Sequence, residues 1–122
     1  MSRTVATMDI PDLMHANLHE VFGERDRERR LAAIARTYTE DVVLHDPEGV
    51  VTGWTALDTK VAGLLDGAPG FAFRASGPLR ECDDLGLLAW EFGPDGEPPV
   101  VTGIDIALVN GGRIASLHTI LT

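Results

Sequence analysis

Two aspartates, Asp46 and Asp105, stand where a carboxyl group could take part in proton transfer. Asp46 ends the apolar run of residues 42–46 and precedes Pro47, while Asp105 interrupts the apolar segment VVTGIDIALV of residues 100–109. In one apolar pocket, a carboxylate could act as a general base and a neutral carboxyl could donate a hydrogen bond. Two structural roles stay open. Asp46 could simply begin a turn, and Asp105 could be a buried acid satisfied by a backbone amide or a hydroxyl.

Strand alternation predicts the surroundings of Asp105. Side chains of a strand point alternately to its two faces, so one face of this segment carries Val101, Gly103, Asp105, Ala107 and Val109. The other face carries Thr102, Ile104, Ile106 and Leu108. Because both faces are apolar apart from Thr102 and Asp105, the strand is expected to be covered on both sides. A carboxyl group in such a place costs free energy unless it is hydrogen-bonded or protonated.

The N-terminal half has the periodicity of three amphipathic helices. Asp9 is predicted to cap the first helix. The apolar stripe of the second ends at Tyr38, and a strand is predicted to follow over residues 42–46. Thr55 and Asp58 have the spacing of a capping box at the start of the third helix.

From residue 71 onward, apolar segments separated by turn residues replace the helical periodicity. These segments are FAFRAS, LREC, GLLAWEF, VVTGIDIALV and RIASLHTIL. Helices followed by an antiparallel meander are typical of α+β architecture, with the helices packed on one face of a curved sheet. We therefore expect one domain over residues 1–122, with residues 1–8 as a loose arm.

Composition narrows the classes of partner. The 122 residues contain 10 Lys and Arg against 19 Asp and Glu, a net charge of −9, which disfavours nucleic acid and anionic membranes. The single cysteine, Cys82, cannot form an internal disulfide, and no segment has the length of a signal peptide or of a membrane span. A cytoplasmic protein is expected. The charge run ERDRERR alternates in sign and is interpreted as a solvated loop and first helical turn.

The histidines offer weaker candidates. A two-residue turn at Gly111-Gly112 would place His118 opposite Asp105, on the pocket side, whereas a three-residue turn would send His118 to the outer face or to a subunit contact. His15 and His19 have the i, i+4 spacing of metal ligands but no accompanying Glu in an H-E-x-x-H pattern. No metal, nucleotide or haem cofactor is expected.

The stretch YTEDVVLHDPEGVVTGWTAL, preceded by helices and followed by a meander with an inward Asp105, resembles the NTF2-like superfamily. Within it, the chain is most similar to SnoaL-like proteins and ketosteroid isomerase. The resemblance implies a cone-shaped half-barrel with a pocket at its open end, Asp46 as the general base and Asp105 as a neutral hydrogen-bond donor. By the same register Trp90 is a pocket aromatic and Leu88 faces the same way. The first helix, HANLHEVF, lacks the tyrosine donor of the isomerase, and Asn17 is the nearest polar residue.

Two functions follow from this reading. One is proton transfer next to the carbonyl of a small apolar ring compound, with Trp90, Leu88 and Phe22 as apolar walls and His118 and Asn17 as further contacts. The other is a non-catalytic ligand-binding or dimerisation module. On the opposite sheet face, apolar residues would be exposed in a monomer, so a homodimer is expected through Ile104, Ile106 and Leu108.

Overall fold

A computed structural model describes residues 8–122. The helices are α1 (Ile10–His15), which continues as a π-helical segment (Ala16–Phe22), α2 (Arg27–Thr37) and α3 (Trp54–Asp66). The strands are β1 (Tyr38–Asp46), β2 (Gly49–Thr52), β3 (Phe71–Ala75), β4 (Arg80–Cys82), β5 (Leu85–Pro94), β6 (Val101–Asn110) and β7 (Arg113–Leu121). No helix within residues 8–122 is both long and apolar enough to cross a membrane.

The strands form one open sheet in the order β2-β1-β7-β6-β5-β3, and β4 also pairs with β5. All pairs are antiparallel except β1 and β7, which run parallel. The core lies between the helices and one face of this sheet. The predicted α+β architecture is confirmed. Of the predicted arm, residues 1–7 lie outside the described residues, and Met8 packs against the core.

The first helix begins as predicted. The Asp9 carboxylate accepts from the Asp12 amide at 2.9 Å, and the Asp12 carboxylate accepts from the Asp9 amide at 3.4 Å, which is a reciprocal capping box. The helix then lies directly on β5, because a Cβ at Gly86 would be 2.6 Å from Ile10 Cγ2. Glycine at this position therefore allows the close approach of helix and sheet.

The predicted capping box of the third helix is wrong. Helix α3 starts at Trp54, and its N-cap, Gly53, makes no side-chain hydrogen bond. Asp58 is instead buried and accepts from Arg30 Nε at 2.7 Å. The charge run ERDRERR was predicted to be solvated, and the buried Arg30 is an exception to that prediction. This ion pair links α2 to α3, and separating the helices would leave each buried charge unpaired, which is unfavourable.

Strand β1 starts earlier than predicted. Tyr38, expected to end the second helix, has an extended backbone with φ −118° and ψ 154°, and its carbonyl accepts from Trp54 Nε1 at 3.2 Å. After the turn at Asp46, Gly49–Thr52 form β2, a short strand that makes a hairpin with β1. The site-bearing end of β1 is therefore held on one side by β2 and on the other by β7.

The β6–β7 hairpin has a two-residue turn and a bulge. Asn110 pairs with Arg113 around Gly111-Gly112, and both glycines have positive φ, 62° and 81°, as the tightest hairpin turns require. Ala115 is then left unpaired, because Val109 pairs with Ile114 and Leu108 pairs with Ser116. This extra residue shifts all later pairings by one.

Candidate functional site

A cavity of about 960 Å³ lies between the helices and the concave face of the sheet. Its volume is in the range of small-molecule sites. Its apolar walls include Leu18, Phe22, Phe73, Trp90, Phe92 and Val101. Six polar residues line the same space: Asp46, Glu48, Thr59, Lys60, Asp105 and Thr119. The two predicted acids therefore line a single, mostly apolar cavity.

Asp105 is held by three side-chain donors. Its Oδ1 accepts from Trp90 Nε1 at 3.0 Å and from Thr119 Oγ1 at 2.8 Å. Its Oδ2 accepts from Asn17 Nδ2 at 2.9 Å. The sequence left open whether a backbone amide or a hydroxyl satisfies the buried Asp105. The Thr119 hydroxyl is one partner, and the side chains of Trp90 and Asn17 are two more.

Burial raises the pKa of the Asp105 carboxyl, while the hydrogen bonds from Thr119, Trp90 and Asn17 act in the opposite direction. The net effect is a raised pKa. This is the direction needed for a carboxyl group that acts as a hydrogen-bond donor, because desolvation disfavours its charged form.

Tyr38 fixes the orientation of Asn17. The Tyr38 hydroxyl donates to Asn17 Oδ1, so the amide nitrogen of Asn17 is the atom that faces Asp105. Burial and the neighbouring negative charge of Asp105 raise the pKa of Tyr38 well above its usual value, which keeps the phenol protonated. The sequence reading missed Tyr38 because it assigned the residue to the apolar face of a helix.

Gly103 makes room for Trp90. The two residues are directly opposite each other on β6 and β5, and a Cβ at Gly103 would be 2.4 Å from Trp90 Cζ2. The indole can therefore lie over the strand with its N–H directed at the carboxylate two residues further along β6. Strand alternation predicted which face of the sheet these residues occupy. The role of Gly103 is visible only from the pairing register of β5 and β6.

Asp46 is part of a charged cluster with Lys60 and Glu48. Lys60 Nζ lies 2.8 Å from Asp46 Oδ2 and 2.7 Å from Glu48 Oε1. Burial alone would lower the pKa of Lys60, but the hydrogen bonds and charges of Asp46 and Glu48 outweigh it and raise the pKa. Asp46 Oδ1 also accepts from the Glu48 amide at 2.9 Å. Asp46 thus both forms the predicted turn and faces the cavity.

Of the remaining predicted ligand contacts, two line the cavity and two lie behind its wall. Phe22 and Trp90 line the cavity. Leu88 faces inward but is packed in the core, where α1 covers this end of β5. Asn17 is buried behind Asp105 and contacts it without lining the cavity.

His118 is not in the cavity. It is exposed on the outer face of the sheet, where its ring stacks on His45 with centroids 4.2 Å apart. The predicted two-residue turn is present, but the Ala115 bulge makes Thr119 rather than His118 the partner of Asp105. The interpretation that placed His118 on the pocket side is therefore wrong.

Lys60 and Thr119 are two polar residues of the cavity that the sequence analysis did not identify. Lys60 follows Ala56 and precedes Leu64 at helical spacing, and all three line the cavity, so the helical pattern could have indicated its face. Thr119 depends on the bulge and carries no comparable signal. Across residues 8–122, no three His, Cys, Asp or Glu side chains are grouped so that they could hold a metal ion.

Solved structures have the same fold. A candidate isomerase of the SnoaL-like family from Agrobacterium tumefaciens str. C58 superposes with a TM-score of 0.85 at 23% identity, over 93% of this chain and 97% of that chain. A candidate polyketide cyclase from Sinorhizobium meliloti gives a TM-score of 0.70 at 19% identity, over 95% of this chain and 100% of that chain. A candidate ketosteroid isomerase from Kribbella flavida gives 0.67 at 16% identity, over 90% of this chain and 75% of that chain.

A search of curated proteins finds no match. The family model for the SnoaL-like domain matches residues 15–117, which include both cavity acids. The match spans most of the chain and agrees with the cone-shaped α+β fold of the solved relatives. The chain belongs to the SnoaL-like domain family.

Proposed function

We propose that this protein binds a small, mostly apolar carbonyl compound and transfers a proton at the carbon next to the carbonyl. The observation that carries this proposal is the pair of acids in one apolar cavity. Asp46 is held in an ion pair with Lys60, while burial raises the pKa of Asp105. Carboxyl groups with such different surroundings are suited to opposite roles.

The chemistry assigns one step to each acid. The Asp46 carboxylate takes a proton from the carbon next to the carbonyl, which leaves an enolate on the ligand. The neutral Asp105 carboxyl stabilises the enolate oxygen through hydrogen bonding. Return of the proton to another carbon of the conjugated system completes an isomerisation and regenerates Asp46, so neither an oxidant nor a reductant is consumed.

Hydrogen–deuterium exchange tests this proposal without knowledge of the natural substrate. The probe is 1-tetralone, an apolar bicyclic ketone, in D₂O, with deuterium uptake next to the carbonyl followed by NMR. We expect the protein to accelerate exchange, and Asp46→Asn to lower the accelerated rate by about 10²-fold or more. Asp105→Asn should lower it by about 10²- to 10³-fold, as for loss of one oxyanion donor.

Asp95→Asn is the matched control, because Asp95 is an exposed acid in the turn after β5. This variant should exchange 1-tetralone at the wild-type rate. Equal exchange by the wild type and Asp46→Asn would contradict the proposed base.

The second candidate is a non-catalytic ligand-binding module. A specific observation favours it, since every oxygen of both acids already has a protein partner. In that case 1-tetralone should bind in the cavity, as seen by quenching of tryptophan fluorescence, while its exchange rate stays at that of the buffer alone.

A further inference from the structure

We propose that Thr119 is the residue that contacts the ligand oxygen, and that its hydroxyl transmits the protonation state of Asp105 to the ligand. This inference rests on the proposed function and names the atom through which Asp105 acts. It begins from the donors and acceptors that surround the Asp105 carboxyl group.

Two of the three groups bonded to Asp105 can only donate. An indole N–H has no acceptor atom, and an amide nitrogen likewise only donates. Trp90 Nε1 and Asn17 Nδ2 are these two groups. Tyr38 holds Asn17 in this orientation by donating to its Oδ1, so the amide cannot turn its oxygen toward Asp105 without losing that bond.

Thr119 is the exception, because a hydroxyl both donates and accepts. If Asp105 carries a proton, Thr119 Oγ1 is the one acceptor among its three hydrogen-bonded partners, 2.8 Å away. The Thr119 hydrogen must then leave Asp105. Since Thr119 is half-buried and lines the cavity, its hydroxyl hydrogen can rotate toward a bound ligand.

The hydroxyl therefore has two states, each suited to a different ligand oxygen. With Asp105 neutral, Thr119 accepts from the carboxyl and donates into the cavity, which fits a carbonyl or enolate oxygen. With Asp105 ionised, Thr119 donates to the carboxylate and offers a lone pair to the cavity, which fits an enol or alcohol O–H. The ligand class is thus an apolar ring compound with one oxygen that alternates between accepting and donating.

Binding of two flat aromatic probes tests this inference. 2-Naphthol carries one hydroxyl on an apolar double ring, and naphthalene is the same ring system without oxygen. Affinities are measured by fluorescence titration for the wild type, Thr119→Val and Thr119→Ser. Thr52→Val is the control, because Thr52 is an exposed threonine on β2.

We expect Thr119→Val to bind 2-naphthol about 3- to 10-fold more weakly than the wild type, as for loss of one hydrogen bond. Its affinity for naphthalene should be unchanged, which shows that the cavity is intact. Thr119→Ser should restore 2-naphthol binding, and Thr52→Val should leave it unchanged. In addition, the pKa of Asp105 should rise further in Thr119→Val, because the Thr119 hydrogen bond lowers it.

The outcomes separate this inference from the proposed function. Equal loss of 2-naphthol and naphthalene affinity in Thr119→Val would overturn the role of the hydroxyl, as would unchanged 2-naphthol affinity, while both leave the cavity proposal standing. Failure of the wild type to bind either probe would overturn both.

Discussion

At the scale of single residues, the behaviour of Asp105 is decided by a competition between burial and hydrogen bonding. Burial favours the neutral carboxyl, whereas three donors favour the carboxylate. The donors come from three separate elements: the π-helical segment, β5 and β7. The carboxyl group is therefore a point where distant parts of the chain meet, and its proton affinity depends on all of them.

The raised pKa of Asp105 predicts a pH-dependent stability. Between the ordinary aspartate pKa of about 3.9 and the raised value, the folded state binds more protons than the unfolded state. Asp105 therefore makes a contribution to the free energy of unfolding that falls as pH rises through this window. Urea unfolding at a series of pH values, together with the ¹³C signal of the Asp105 carboxyl, measures the effect.

Asp105→Asn is the reference for this measurement, because it keeps the shape of the side chain and removes its titration. As pH rises, the free energy of unfolding of the wild type should fall relative to that of Asp105→Asn. The difference should then become constant. A carboxyl signal that titrates at the ordinary aspartate value would refute the interpretation.

At the scale of elements, the pairing of β5 with β6 shapes the site. Every second residue of β6 faces the core, and the inward position opposite Trp90 is a glycine. This combination places a large ring directly over the neighbouring strand and brings its N–H to Asp105. A larger residue at this position would occupy the space of the ring.

We predict that Gly103→Ala displaces Trp90. The new Cβ would be 2.4 Å from Trp90 Cζ2, so the indole must move, and overpacking of this kind costs about 1–3 kcal/mol. Urea unfolding should show this loss. The indole N–H resonance of Trp90 should shift as its bond to Asp105 is strained, while that of Trp54, which donates to the Tyr38 carbonyl, stays in place.

Gly63→Ala provides the matched control. Gly63 lies within α3, and a Cβ there would meet nothing within 4 Å. Alanine is the better helix former, so this variant should be more stable by about 0.5–1 kcal/mol. An unfolding free energy for Gly103→Ala that is equal to or above that of the wild type would disprove the steric role of the glycine.

The elements that the sequence predicted best are those with strong periodicity. The apolar stripes and the Asp9 cap gave the three helices, and alternation gave the inward face of β6. The β7 register was not predictable in the same way, because Ala115 carries no mark of a bulge. Likewise, Asp58 has the spacing of a helix cap, and only the packing of α2 on α3 shows that it forms an ion pair with Arg30.

At the scale of the whole molecule, the candidate site was predictable in part. Asp46 and Asp105 were found because an acid at an apolar strand position is unusual and because both match the family pattern. The Lys60 ion pair and the Thr119 hydroxyl were not found. The helical pattern could have indicated the cavity face of Lys60 but not its ion pair with Asp46, and the position of Thr119 depends on the β7 bulge, which local patterns do not encode.

The outer face of the sheet carries a second feature of the whole molecule. Opposite the cavity, the strands β5, β6 and β7 present adjacent apolar side chains, namely Leu87, Ala89, Ile104, Ile106, Leu108 and Ile120. Ile120 is 50% exposed and Leu108 is 38% exposed. Because the chain carries a net charge of −9, two copies repel each other on average, and this apolar patch is the best place for self-association.

We therefore expect a homodimer in which two copies bury this face against each other, in a two-fold arrangement that uses the same patch twice. Sedimentation equilibrium at micromolar concentration should give twice the chain mass of 13.1 kDa. Ile120→Lys should shift the protein toward the monomer, because it buries an unpaired charge in the interface. Ala32→Lys adds the same charge at an exposed position of α2, on the helical side of the molecule, and should leave the dimer intact. A wild-type monomer under these conditions would rule out the interface, whereas the cavity and its two acids would be unaffected, since every cavity contact described above lies within one chain.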